Sequence, residues 1–227
     1  MSLEFDIDKA ILNEREESNQ LTGTKQEQEI LNKFNNSISL IEDKFELLKL
    51  DIQQEIHKNI LRSQIAFLFS CVDYYFHEII KIGILNIIKE ERRETKKLGN
   101  CLISIKIYTE YIRSSNLSQD ILEEEIIHRN SYKSFLDPDK MVDGLSLITD
   151  QNILRLIFNK MGFESQNKLK EKIKIGYARR NHIVHQMDFD FSNGSQNEID
   201  KEFVMEYIEF YKTLINEIHL LLLNDNI

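Results

Sequence analysis

The chain has 227 residues, enough for one domain with a sizeable core. One proline and seven glycines are too few for the turns of a sheet-rich fold, so long helices are expected. The 29 Lys and Arg against 38 Asp and Glu leave a formal net charge of −9, which disfavours indiscriminate binding to DNA or to an anionic membrane surface, so any nucleic-acid contact has to be local.

Hydrophobic residues at 41% and charged ones at 30% describe a soluble globular chain. Cys71 and Cys101 have no CxxC spacing and lie among apolar neighbours, which predicts buried free thiols in a reducing, cytoplasmic setting. Residues 1–9 alternate acidic and apolar side chains and do not read as a signal peptide. The longest apolar stretches, such as Leu220 to Leu223, are far too short to span a bilayer. Residues 1–24 read as an arm or short helix, and residues 25–227 as a single helical domain.

From Leu31 the apolar positions Phe34, Ile38, Ile41, Phe45, Leu48, Ile52 and Ile56 recur at spacings of three and four, which predicts one long amphipathic helix. Between Ile65 and Ile88 apolar residues occur on every side, as for the central helix of a bundle. Glu90 to Lys97 is a charged exit, and Gly99 with Asn100 a break before an apolar segment over Cys101 to Ile112. Ser118 suits the start of a short helix to about Arg129. Ser131 to Gly144, with the single proline Pro138, reads as a connection ending in at most a short helix. Asp150 suits an N-cap for a helix over Ile153 to Met161, stopped by Gly162. A helix from about Asn167 through Val184 follows, then a polar loop over Asp188 to Asn197. Ser195 and Glu198 resemble a capping box before a last helix through Phe203, Tyr207, Tyr211, Leu214, Ile218 and Leu222. The fold class expected is all-α, a bundle of long antiparallel helices with a small irregular insertion.

The segment that carries chemistry is Lys168 to His185, KLKEKIKIGYARRNHIVH. Its apolar line runs through Leu169, Ile173, Tyr177 and Val184, and Arg180 falls on it. An arginine aimed inward or into an interface needs a carboxylate or a ligand phosphate. His185, five residues on, stands about 140° around a straight helix from Arg180. The two converge on one group only if the helix unwinds near His185 or a second subunit supplies the other pair. Histidine exchanges a proton near neutral pH, and arginine holds a phosphate through two parallel hydrogen bonds. Together they suit phosphodiester cleavage by general acid-base catalysis. RNA is the better substrate, because its 2′-OH is a built-in nucleophile that needs only deprotonation. From Ser165 to Gln186 there are six basic side chains (Lys168, Lys170, Lys172, Lys174, Arg179, Arg180) and one acidic, Glu171, a local basic strip leading to Arg180.

The run Arg180-Asn181-His182-Ile183-Val184-His185 resembles the R-N-x-x-x-H signature of the HEPN superfamily of helical ribonucleases. The helix RSQIAFLFSCVDYYFHEII (Arg62 to Ile80) and the segment SFLDPDKMVDGL (Ser134 to Leu145) are similar to its RiboL-PSP-HEPN branch, with residues 30 to 222 covered. The resemblance implies an endoribonuclease that needs no metal or other cofactor and works as a homodimer with two motifs facing each other. It implies His185 as general acid or base, Arg180 on the scissile phosphate and Asn181 orienting the phosphate or the histidine. It also implies a toxin or an effector of antiviral defence, with an antitoxin or defence-system protein as partner. The branch paired with nucleotidyltransferase antitoxins has a tyrosine two residues after the motif histidine; this chain has Met187 there, so regulation by nucleotide addition is not expected.

Arg179, followed by no asparagine, reads as an auxiliary RNA contact together with Lys174 and His182. Asp73 and His77, one turn apart in the central helix, read either as a structural pair or as a support in which Asp73 orients Arg180. His182 and His185 lack companions at metal-ligand spacing, with Asp188 and Asp190 distant, so no metal site is expected. Tyr74, Tyr75 and Tyr177 suit a core better than base stacking. Ser37, Ser70 and Ser134 sit in no nucleophile-elbow context, and no glycine-rich phosphate loop exists. The competing function is a catalytically silent helical module that binds RNA or a protein partner through the same residues.

Overall fold

The computed structural model describes residues 25–102, positions 104, 105, 107, 109, 113, 125, 128 and 129, and residues 132–225. Among them the fold is all-α: helices joined by turns, with a single isolated bridge between Phe189 and Gln196. We label the helices α1 (25–42), α2 (Gln54–Ile88), α3 (Lys96–Gly99), α4 (Pro138–Leu145), α5 (Ile153–Ile157), α6 (Gln166–Gln186) and α7 (Lys201–Asn224). No helix among the described residues is long and apolar enough to cross a membrane.

The first helix is shorter than its periodicity predicts. Ile30, Leu31, Phe34, Ile38 and Ile41 are buried along α1, but beyond residue 42 the chain tightens into a 3-10 turn over Asp43–Lys49, and Leu50 is extended. The reason is tertiary. Gln64 of α2 donates its side-chain amide to the Ile41 carbonyl at 2.8 Å, occupying the group that a continuing α-helix would offer four residues on. In the 3-10 turn Phe45 and Leu48, three apart, still reach the core.

α2 is the central helix. Leu68, Phe69, Val72, Tyr75, Phe76, Ile79 and Ile80 are sealed from solvent, so the helix is surrounded on most of its circumference. α1 runs antiparallel to it, since Ile41 lies beside Gln64 and Glu27 beside Arg92. α6 is antiparallel too, whereas α7 runs in the direction of α2, with Glu198 near Lys58 and Leu222 near Arg92. Gly176 lets α6 approach closely: a Cβ there would meet the Tyr207 ring inside van der Waals contact and Phe69 at 3.1 Å. The α7 face follows its predicted line, with Tyr207, Tyr211, Leu214, Ile218 and Leu222 all buried.

Several local expectations are corrected. α5 is capped by Asn152, not Asp150, through its side chain accepting from Arg155 N, and ends at Ile157; the turns beyond it close at Gly162, whose φ of +77° suits glycine. α7 is capped by Asp200, which accepts from Phe203 N, while Ser195 turns to Asn193 instead. Asp137 caps α4, with Pro138 in its first turn. Cys101 is exposed and Cys71 half-buried, and both are free; burial pushes the Cys71 thiol up. Most of the helix expected over Ser118 to Arg129, much of the apolar segment from Cys101 to Ile112, and residues 1–24 fall outside the described residues; Glu125, His128 and Arg129, which are described, are helical.

Candidate functional site

α6 starts at Ser165, whose side chain accepts from Lys168 N, and stays helical through Gln186. Its buried face is Leu169, Ile173 and Gly176. Val184, expected on the apolar line, is exposed: it keeps an angular position between Ile173 and Tyr177 around the helix, and it is exposed because the last turn of α6 carries no buried residue. The helix does not unwind at His185. It closes one residue later, where Met187 and Asp188 take left-handed φ of +50° and +63° and both of their N–H groups bond the His182 carbonyl.

The left-handed turn drops Asp188 into the protein. Its carboxylate is fully buried, and Oδ2 accepts from Arg62 Nε at 3.1 Å and from Arg179 Nη2 at 2.7 Å. Asn197 Nδ2 bonds the Asp188 carbonyl at 2.9 Å. Arg62 reaches further, to Glu55 at 3.1 Å, Asn59 at 3.0 Å and the Asn197 carbonyl at 3.0 Å. Arg179 also donates to the Glu198 carbonyl at 2.9 Å and lies over the Phe203 ring. Burial lowers the Arg179 pKa, opposed by Asp188 and reinforced by Arg62. This cluster ties the end of α6 to the starts of α2 and α7, and it is the part of the site that sequence reasoning missed. The available signals were an arginine opening the apolar run of α2 and an aspartate three residues after the motif histidine.

Arg179 and Arg180 are both half-buried, and each has an Nε sealed from solvent with no hydrogen-bond partner. They differ in their other nitrogens: Arg179 reaches Asp188, whereas Arg180 Nη1 donates to Asn181 Oδ1 at 3.0 Å. Among the described residues Arg180 is the one arginine that is neither exposed nor paired with a carboxylate. Asn181 thus holds the guanidinium in place. His182 and His185 are exposed in the last two turns. Because α6 is regular, Arg180 and His185 remain about 140° apart around its axis.

The basic strip is largely neutralised. Lys170 and Lys174 share Asp139, at 2.7 and 3.1 Å, holding that carboxyl below its usual range through their hydrogen bonds. Lys172 pairs with Glu206 and lies 4.3 Å above the Tyr207 ring, and Lys168 pairs with Glu171. Asp73 does not orient Arg180: its Oδ1 accepts from Phe135 N at 2.8 Å. His77 lies 3.9 Å from the same oxygen and bonds the Lys133 carbonyl at 3.1 Å. The pair anchors the non-helical chain entering α4, whose backbone groups have no ladder partners. Tyr75 is in the core and Tyr177 packs against it, while Tyr74 is exposed.

Among the described residues no group of three or more His, Cys, Asp or Glu side chains is placed to hold a metal ion. No family model matches the chain, and searches of curated proteins and of solved structures returned no match.

Proposed function

We propose that the chain is an endoribonuclease of the HEPN type. The observation that carries this reading is Arg180: a half-buried guanidinium with no carboxylate partner and a sealed, unpartnered Nε, on the same two helix turns as two exposed histidines. A half-buried guanidinium without a carboxylate is free to bind a ligand anion, and a phosphodiester is an anion of the right geometry. His185 takes the proton of the ribose 2′-OH, the 2′ oxygen attacks phosphorus, and the 5′ oxygen leaves with a proton from a second acid. The products are a 2′,3′-cyclic phosphate and a 5′-hydroxyl. The internal nucleophile makes a metal unnecessary to this chemistry. Asn181 keeps the guanidinium aimed, and His182 lies one turn from the reacting groups. A homodimer across the α6 ends would bring Arg180 of one subunit toward His185 of the other. The biological setting consistent with this reading is a cytoplasmic toxin or antiviral effector restrained by a partner protein.

A second reading, a silent module that binds RNA or a protein, is favoured by the regular end of α6, which keeps Arg180 and His185 apart within one chain. Total RNA incubated in EDTA with wild type, His185→Ala and Arg180→Ala proteins of matched size separates the two. Cleavage to cyclic phosphate ends by the wild type, reduced at least about 100-fold in either variant, is the expected result. Binding by the wild type with no cleavage leaves the module.

A further inference from the structure

Six histidines occur in the chain, and four of them have partners. His57 bonds the Leu50 carbonyl and His77 the Lys133 carbonyl, each at 3.1 Å, His219 bonds the Tyr75 hydroxyl at 3.1 Å, and His128 packs edge-on against the Tyr132 ring. His182 and His185 are exposed, and among the described residues neither ring has a hydrogen bond, an ion pair or a ring contact. The two free imidazoles are also neighbours. They stand three residues apart on a helix that is regular through Gln186, which sets their Cβ atoms about 5–6 Å apart and about 60° apart around the axis.

The backbone beneath the pair is fixed. The His182 carbonyl accepts from Met187 N and from Asp188 N, the latter at 2.9 Å, and Asp188 is itself anchored by Arg62 and Arg179. Both rings thus swing from a rigid turn, so little ordering cost opposes their closing on one group. An imidazole takes or gives a proton near neutral pH, and phosphodiester transfer by an internal 2′-OH needs both acts, a base at the 2′ oxygen and an acid at the 5′ oxygen. His182 stands about 160° around α6 from Arg180 and His185 about 140°, so the pair shares the flank away from the arginine of its own chain.

Resting on the ribonuclease reading, we propose that His182 is the acid that protonates the leaving 5′ oxygen, with His185 as the base and Arg180 of the partner subunit on the phosphate between them. Neutral His185 takes the 2′-OH proton, the 2′ oxygen bonds phosphorus, the bond from phosphorus to the 5′ oxygen breaks, and the His182 imidazolium gives that oxygen its proton. Proton exchange with water resets both rings. His182 is then a catalytic residue and not only an RNA contact.

The test uses the full chain in EDTA and a linkage that the wild type cuts in total RNA, synthesised with either oxygen or sulfur at the bridging 5′ position. A thiolate leaves without a proton, since a thiol is far more acidic than an alcohol. With oxygen, His182→Ala and His185→Ala are each expected to slow cleavage at least about 100-fold; both positions are in solvent, so the variants keep the fold. With sulfur, His182→Ala is expected to return to the wild-type rate while His185→Ala stays slow. A loss with oxygen that sulfur does not restore makes His182 a binding residue and overturns the acid, as does unchanged cleavage of the oxygen linkage by His182→Ala. Sulfur rescue of His185→Ala in place of His182→Ala reverses the roles and overturns the assignment while leaving the ribonuclease reading intact. Wild-type protein that cuts nothing in total RNA overturns the ribonuclease reading and the acid with it.

Discussion

The two ends of the bundle handle buried charge differently. At one end Glu27 and Arg92 are both buried and pair at 3.1 Å, Arg92 also donates to the Leu222 carbonyl, and Tyr75 bonds His219 Nδ1 at 3.1 Å. These contacts tie the start of α1 to the ends of α2 and α7. At the other end Asp188 takes two arginines, and Arg180, the residue after one of them, has no carboxylate partner. At the first end the buried charges are paired with each other, and the ring nitrogen left without a partner, His219 Nε2, is neutral. At the second, Arg180 has no carboxylate partner, and this sets it apart from the lysines leading to it, which are paired.

The largest effect is expected from Asp188→Ala, which leaves two guanidinium groups facing each other without their shared acid. Loss of one partner of a buried cluster costs about 3–5 kcal/mol, measurable as a lowered midpoint in urea unfolding. If the loss is under about 1 kcal/mol, the two ends do not differ as argued. Next is a pH effect at the closed end. Burial holds the His219 pKa down at about 4, against 6.5 when exposed. Between these values the unfolded chain binds the proton and the folded one does not. Stability from this group is therefore complete above pH 6.5 and is lost as pH falls toward 4, by up to about 3 kcal/mol. Urea titrations between pH 7 and 4 should show the loss in wild type and a flatter profile in His219→Gln.

A smaller effect of opposite sign sharpens the contrast. Arg180→Met removes an unpaired buried donor and keeps the aliphatic stem, so it should raise stability by about 1 kcal/mol while abolishing RNA cleavage. A destabilised variant would mean that Arg180 has a structural partner. The smallest change is expected from Lys174→Ala: its pairing with Asp139 is exposed, so stability should move by less than about 0.5 kcal/mol, and RNA affinity in a filter-binding assay should hardly alter.

Much of the helical frame was legible from spacing. The central run from Ile65 and the α7 line through Tyr207 and Leu222 have apolar residues at positions that a 3.6-residue period buries. The end of α1 was not legible, since no glycine or proline marks it and the decisive contact, Gln64 on the Ile41 carbonyl, joins residues 23 positions apart. Caps were misread by a few residues wherever several short polar side chains competed, as with Asp150 against Asn152 and Ser195 against Asp200. In the site, Arg180, Asn181 and His185 share one helix, so their spacing could be read directly. Asp188 could not, because its importance depends on a left-handed turn and on Arg62, which lies 126 residues away along the chain. For Asp73 the sequence left a helical pair and a long reach to Arg180 open, and only the path of residues 133–135 decides for the local partner.

The span between Arg62 and Asp188 also bears on how the protein is made. The cluster draws on residues 55–62 and on residues 179–198, far apart along the chain, so no nascent fragment ending before residue 198 contains it. A ribosome delivers the chain from the N-terminus at roughly 5–20 residues per second, and α2 is therefore exposed for many seconds before its partners on α6 and α7 emerge. During that interval the motif helix does not yet exist. Arg180 and His185 thus stay without their support until residues 179–198 have left the ribosome.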